Sequence, residues 1–247
     1  AWWVVQLGTW LLVLSPFVAS LANLSGYFDQ LLVLATLAAV LLVAHKRPLW
    51  AGLVGVLAVL SHEMFALFGL PVVAFACWLH SLRTGARGLR SWLALVPPVL
   101  ALGCVAASER FGAAAVQRLL AEVESTRAIP PEWSAWGGHA LTHDVAQNLS
   151  DLGPRFLGWL VEPVALWSLH PTTSVMGLLV LSQVVALPTD GFRRGVTVVF
   201  GAAVVIAPCG IALLGWDWPR FFVMAQFHAY GVALLLVLHA GSLPEST

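Results

Sequence analysis

The chain has 247 residues, of which 60% are hydrophobic and 10% are charged, and its mean hydropathy is +0.88. A soluble fold of this length lacks the polar surface to cover such a core, so the composition predicts a polytopic membrane protein. The 12 Lys and Arg residues balance the 12 Asp and Glu residues. This zero net charge gives no reason to expect a nucleic-acid partner.

Apolar runs that approach the length of a bilayer-spanning helix, about 20 residues, recur along the sequence. They predict an all-α bundle of about eight spans, one transmembrane domain over residues 1–247: Trp3 to Ala22, Gln30 to Ala44, Leu49 to Ser61, Met64 to His80, Ser91 to Ser108, Thr172 to Leu187, Gly195 to Leu214 and Arg220 to Ala240. The third run covers only about 20 Å, so half of a re-entrant hairpin is an open alternative. The start at Ala1, without an initiator Met, is expected of a fragment of a longer protein.

The distribution of basic residues predicts the orientation of these spans. Three short basic loops alternate onto one side if the apolar stretch Phe156 to Leu169, which Glu162 and Pro163 interrupt, is re-entrant or interfacial. These loops are His45 to Arg47, Leu82 to Arg90 and Thr189 to Arg194. The cytoplasmic side then has seven basic and two acidic residues, and the other side has five basic and ten acidic. Both termini are cytoplasmic in this arrangement. Residues 109–171 form an extracytoplasmic segment, in which Arg110 to Thr126 has the spacing of an amphipathic helix.

The polar residues that interrupt the apolar runs fall mostly at the predicted extracytoplasmic face. Glu63 lies beside an apolar run with His62 next to it, and a carboxylate there is costly to bury unless it is paired or hydrated. The alternative is a polar turn in which Ser61 or Glu63 caps the helix from Met64 onward. Asp29, which opens the second span, is a candidate acid or base and equally a candidate helix N-cap.

A second polar group opens the last span. Asp217 and Arg220 are three residues apart, close enough on a helix to pair, and Arg220 lies at a helix N-terminus that favours a lipid phosphate. The alternatives are a helix cap for Asp217 and contact with bulk lipid headgroups for Arg220. Deeper in the same span, His228 is either a proton or substrate contact or a packed residue with a satisfied hydrogen bond.

The long extracytoplasmic segment adds two kinds of candidate. Trp133 and Trp136 offer faces on which a sugar could stack, although interfacial anchoring explains most tryptophans in such a chain. His139 and His143 have the i, i+4 spacing of metal ligands, but the Glu of an HExxH motif is absent, so no metal is predicted. The three cysteines lie inside apolar runs and fit buried thiols. No motif for nucleotide binding or hydrolysis occurs, and no cofactor is expected.

Two stretches resemble a known family. The run Arg47-Pro48-Leu49-Trp50-Ala51-Gly52-Leu53, continuing to Leu60-Ser61-His62-Glu63 and then to Leu70-Pro71, is similar to a texture of GT-C-type glycosyltransferases and related bacterial surface-polysaccharide membrane proteins. The stretch Gly215 to Arg220 resembles the extracytoplasmic D-x-x-R that opens a late span in that group. The likeness covers Gly26 to Pro71 and Gly215 to Tyr230, less than half of the chain.

The resemblance implies an enzyme of the bacterial inner membrane that transfers or polymerises sugar from a polyprenyl-phosphate-linked donor. Its partners would be this lipid-linked sugar and membrane lipids. Glu63 or Asp29, with His62 beside it, would activate the acceptor, and Arg220 would hold the lipid phosphate. The family's catalytic carboxylate lies in the first extracytoplasmic loop, so either Asp29 serves or that residue lies upstream of Ala1. A transporter or flippase and a non-catalytic scaffold are the competing hypotheses.

Overall fold

The computed structural model describes residues 6, 7, 9, 10, 29–62, 64–107, 114, 117, 118, 121, 122, 180, 189–210 and 218–241. These residues form helices and short turns, with no strand among them. In chain order, the described elements are α1 (Asp29–Ala44), α2 (Pro48–Ser61), α3 (Phe65–Phe68), α4 (Leu70–Thr84), a 3₁₀ helix (Gly85–Ala94), α5 (Val96–Ala107), α6 (Gly191–Gly210) and α7 (Trp218–Gly241).

Three helical stretches are long and apolar enough to cross a membrane. They are Phe65–Thr84, Gly88–Val105 and Gly191–Pro208, and shorter apolar helices occupy Gln30–Ala44, Pro48–Ser61 and Met224–His239. The part of the chain that the structure describes is therefore all-helical, with helices of membrane-spanning length. The predicted spans Trp3 to Ala22 and Thr172 to Leu187, the segment 109–171 and the stretch Phe156 to Leu169 lie outside the described residues, apart from isolated positions.

The outer faces of α1 and α2 are apolar, which fits a lipid environment. α1 exposes Leu34 and Leu41, and α2 exposes a row of leucines four residues apart, Leu49, Leu53 and Leu57. The opposite faces of both helices are apolar too, where they pack into the bundle. A helix that is apolar all round, with half of its surface exposed, is stable in hydrocarbon and poorly suited to water.

α1, α4 and α7 run one way through the bundle, and α2, α5 and α6 run the opposite way, so the bundle has two distinct ends. We call one the Asp29 end: α1 and α7 begin there, and α2, α5 and α6 finish there. The other, the Lys46 end, holds the turn between α1 and α2, the junction of α4 with the 3₁₀ helix, and the start of α6. Contacts along the helices fix this arrangement: the Trp78 indole donates to the Thr197 hydroxyl at 3.0 Å, and Phe75 meets Phe200 edge-on.

The structure extends one predicted span and shortens one predicted loop. The span predicted over Met64 to His80 is a helical stretch of membrane-spanning length, Phe65–Thr84. Gly69 continues the helical hydrogen bonds between α3 and α4, and the Phe65 ring fills the space that a Cβ at position 69 would need. Pro71 lies in the first turn of α4, where its missing N–H costs no hydrogen bond. Within the predicted loop Leu82 to Arg90, α4 continues to Thr84, the chain turns at Gly85, whose φ is 60°, and the 3₁₀ helix follows.

Candidate functional site

One hydrophobic cluster joins several helix ends at the Asp29 end. It combines the start of α1, the last turn of α2, α3, the first residue of α4 and the second and third turns of α7, through Leu32, Val33, Ala58, Val59, Phe65, Phe68, Leu70, Met224 and Phe227. The rings of Phe68 and Phe227 are parallel, with centroids 6.0 Å apart. Van der Waals packing of these side chains holds the helix ends together, since lipid tails are as apolar as the cluster itself.

This cluster brings three of the predicted positions to one end of the bundle. α1 begins at Asp29, His62 follows the last residue of α2, and Arg220 lies in the first turn of α7. For Asp29 and Arg220 the structure describes the helical backbone alone. Glu63, Asp217, Trp133 and Trp136 lie outside the described residues, so their predicted roles stay predictions.

His62 occupies the turn between α2 and α3 and stabilises both. Its backbone N–H donates to the Ala58 carbonyl at 2.9 Å, which closes α2, and its carbonyl accepts from Phe65 at 3.0 Å. Its ring Nδ1 accepts from the Met64 N–H at 3.3 Å, the kind of bond that a helix N-cap makes. The Ser61 hydroxyl, a predicted alternative cap, donates back to the Leu57 carbonyl at 2.8 Å. The other alternative, Glu63, lies outside the described residues.

His228 is fully buried between α7 and α6. Its Nδ1 lies 2.7 Å from the Val204 carbonyl oxygen, and since a carbonyl only accepts, Nδ1 carries the proton. Val204 is four residues before Pro208, which interrupts α6 and has no N–H to donate to that carbonyl. The imidazole therefore supplies the hydrogen bond that Pro208 removes from α6.

The rest of the His228 ring lies among aromatic side chains. Phe68 and Phe227 flank it, with ring centroids 5.2 Å and 6.2 Å away. Its Nε2 has no hydrogen-bond partner among the described residues. The Phe68 backbone also lies close to the ring. His228 is 0% exposed, so in this conformation it holds helices together and does not line an open substrate site.

The described residues contain no group of three His, Cys, Asp or Glu side chains placed to hold a metal ion. The pair His139 and His143 lies outside them.

Comparison with protein-family models, curated proteins and solved structures finds no match for this chain.

Sequence reasoning missed a basic cavity at the Lys46 end. Lys46, Arg83 and Arg90 were used only as markers of orientation, and His80 was not considered. The structure gathers all four side chains around one cavity. The signal that could have found it is the recurrence of basic residues at every turn of this end, together with a His one helical turn before Arg83.

Proposed function

We propose that the chain is a membrane-embedded enzyme that transfers or polymerises sugar from a polyprenyl-phosphate-linked donor at the extracytoplasmic face. The observation that supports this proposal is the convergence of Asp29, the His62 turn and the start of α7 on one hydrophobic cluster. Two helices, α1 and α7, begin at this end, and helix N-termini attract phosphate through their free N–H groups. The GT-C-like residues lie on these same elements.

The proposed chemistry assigns a role to each candidate group. A carboxylate, Glu63 or Asp29, takes the proton of the acceptor hydroxyl, and the oxygen of that hydroxyl attacks the anomeric carbon of the donor sugar. The bond from that carbon to the phosphate oxygen breaks, and the polyprenyl phosphate leaves with the electron pair. Arg220, paired with Asp217, holds the phosphate, whose negative charge grows as the bond breaks. Trp133 or Trp136 stacks on the sugar.

The membrane arrangement of this proposal is the eight-span bundle with its re-entrant or interfacial segment, in the bacterial inner membrane. The Asp29 end then faces outward, where the lipid-linked donor is presented. The Lys46 end faces the cytoplasm, in keeping with its excess of basic residues.

Transfer from a labelled lipid-linked sugar tests the proposal. Purified full chain in proteoliposomes is supplied with a panel of polyprenyl-phosphate-linked sugars and a saccharide acceptor. We expect Glu63→Gln and Arg220→Ala to lower the rate by 10²-fold or more, since one positioned charged contact is worth about 3 to 4 kcal/mol in the transition state. Asp190→Asn and Arg193→Ala are matched controls, because this ion pair is exposed at the opposite end.

Two results would contradict the enzymatic proposal. The first is wild-type turnover in both Glu63→Gln and Arg220→Ala. The second is a wild-type chain that is inert on every donor of the panel, which would favour a transporter, a flippase or a scaffold. One observation favours the transporter alternative. The buried Nε2 of His228 has no hydrogen-bond partner among the described residues, and a group that relays protons through a membrane needs such an available nitrogen.

A further inference from the structure

The Lys46 end contains a cavity of about 820 Å³ in which basic side chains from three elements meet. The turn between α1 and α2 contributes Lys46, α4 contributes His80, Arg83 and Thr84, and the 3₁₀ helix contributes Arg90 and Ser91. No carboxylate is among the described residues that line it. Basic side chains gathered around one cavity attract anionic ligands.

The backbone at Lys46 is unfavourable for a lysine. Its φ is 59°, the left-handed conformation that glycine adopts without a steric penalty. The turn is a Schellman motif, in which the Arg47 N–H donates to Leu42 at 2.8 Å and the Lys46 N–H to Val43 at 3.0 Å. Glycine is the usual residue at this position, and the lysine found there places a positive charge at the C-terminus of α1 and on the wall of the cavity.

The 3₁₀ helix is fixed against α4 so that Arg90 and Arg83 line the same cavity. Gly88 packs directly on the backbone of Ser81, where a Cβ would overlap the Ser81 Cα atom. The Trp92 indole donates to the Ser81 hydroxyl at 3.1 Å, and this bond pins the next turn. A flexible basic loop would serve the orientation of a membrane protein equally well, whereas this arrangement holds the basic groups in place.

Not every basic residue at the Lys46 end lines the cavity. Arg193 forms an exposed pair with Asp190, with 3.3 Å between Nε and Oδ2, and does not line the cavity. The cavity residues are therefore distinguishable from the general positive charge of this end. Substitution of Arg193 removes one positive charge from this end without changing the cavity lining, so it is a matched control for substitutions of the cavity residues.

An apolar cleft of about 140 Å³ adjoins the basic cavity and shares Val43, His80 and Arg83 with it. The remaining wall comes from α1, α4 and α7 and is mostly aliphatic. Leu41 and Leu238 at its rim are each 58% exposed, so the cleft opens on the outer surface of the bundle. A cationic cavity joined to an aliphatic cleft matches an amphiphile that carries a phosphate group and an acyl chain.

We propose that the Lys46 end binds an anionic phospholipid, with its phosphate in the basic cavity and part of an acyl chain in the cleft. Basic pockets between helices at the cytoplasmic side are the expected place for such headgroups. The proposal concerns the end opposite to the proposed transfer site and stands independently of the transferase activity.

The test measures how added lipid raises the unfolding temperature (Tm) of the full chain in dodecyl maltoside micelles, since a ligand stabilises the state that binds it. The probes are dioleoylphosphatidylglycerol, dioleoylphosphatidylcholine and inorganic phosphate. We expect phosphatidylglycerol alone to raise Tm at micromolar to low millimolar concentration. Arg90→Gln should weaken that effect about fivefold, the contribution of one basic residue near an anionic headgroup. Arg193→Gln should leave it unchanged.

Lys46→Gly separates binding from folding. Glycine suits the left-handed turn, so the variant should have a higher Tm than wild type without lipid and a smaller response to phosphatidylglycerol. Ala44→Trp, which fills the cleft from an exposed position, should also reduce the response, and Leu34→Trp, exposed on α1 outside the cleft, should not.

Three results would overturn the proposal. Equal responses to phosphatidylglycerol and phosphatidylcholine would show that charge is not recognised. An equal loss in Arg193→Gln and Arg90→Gln would indicate diffuse attraction to the basic end. A Tm shift with inorganic phosphate at the concentrations where phosphatidylglycerol acts, unaffected by Ala44→Trp, would make this a phosphate site without a lipid.

Discussion

The imidazole Nδ1 of His228 donates to the carbonyl oxygen of Val204 at 2.7 Å and joins α7 to α6 at the point where Pro208 interrupts α6. A buried carbonyl without a donor is costly, and more so where the surroundings are apolar. The sequence places a proline in one span and a histidine in another, and the structure shows that the second compensates for the first.

This relationship predicts a coupling between positions 208 and 228. His228→Leu should lower the free energy of unfolding by about 2 kcal/mol, because it leaves the Val204 carbonyl without a donor in the core. Pro208→Ala restores the backbone N–H within α6. In that background we expect His228→Leu to cost about 1 kcal/mol less, as measured by a double-mutant cycle of unfolding in detergent.

His228→Asn is the matched control, since its amide nitrogen lies near the position of Nδ1 and can donate to the same oxygen. It should retain part of the stability that His228→Leu loses. Additive effects of Pro208→Ala and His228→Leu would show that the two positions do not share the Val204 carbonyl.

Hydropathy alone places α1 and α2 well. The predicted runs Gln30 to Ala44 and Leu49 to Ser61 differ by one residue from the observed Asp29–Ala44 and Pro48–Ser61. A basic turn and a proline at the helix start mark these boundaries locally. The 3₁₀ helix after Thr84 depends on how Gly88 packs on the Ser81 backbone, and hydropathy contains no information on such contacts.

The site was less accessible to sequence reasoning than the helices. Charges at the ends of apolar runs indicated that Asp29, His62 and Arg220 would share one end, and the helix directions place their backbones there. The pairing of His228 with Val204 and the cavity around Lys46 each depend on contacts between helices that are distant in sequence. A single sequence gives the composition of each helix but not its rotation toward its neighbours.

Substitutions at His62 separate capping from catalysis. His62→Ala should lower the free energy of unfolding by about 1 kcal/mol, because the Met64 N–H loses the ring Nδ1 as its acceptor. His62→Asn should keep most of that stability, since its side-chain oxygen can accept the same bond. If His62 also serves the proposed transfer, His62→Asn should be stable yet slower per folded molecule in the lipid-linked sugar assay. Wild-type turnover in His62→Asn would restrict His62 to a capping role.

Gly88 and Gly103 form a matched pair for testing the contact between the 3₁₀ helix and α4. A Cβ at position 88 would overlap the Ser81 backbone, which cannot move without displacing α4, whereas a Cβ at position 103 meets nothing within 4 Å. Gly88→Ala should therefore destabilise the fold by about 2 kcal/mol. Gly103→Ala, in the interior of α5, should stabilise it by about 0.5 to 1 kcal/mol through helix propensity. A neutral Gly88→Ala in detergent unfolding would mean that the two elements do not pack as closely as described.

Impermeant maleimide labelling tests the orientation on which the proposed transfer reaction depends. In a background without Cys77, Cys104 and Cys209, Phe192→Cys is a suitable probe of the Lys46 end, because Phe192 is 82% exposed at the start of α6. His143→Cys probes the predicted extracytoplasmic segment. In intact cells we expect label at position 143 and none at 192, and after lysis both positions should react. The reverse pattern would place the basic cavity outside and the Asp29 end in the cytoplasm. The transfer site would then face the wrong side for the proposed reaction, although the lipid site could still form, because its cavity and cleft do not depend on orientation.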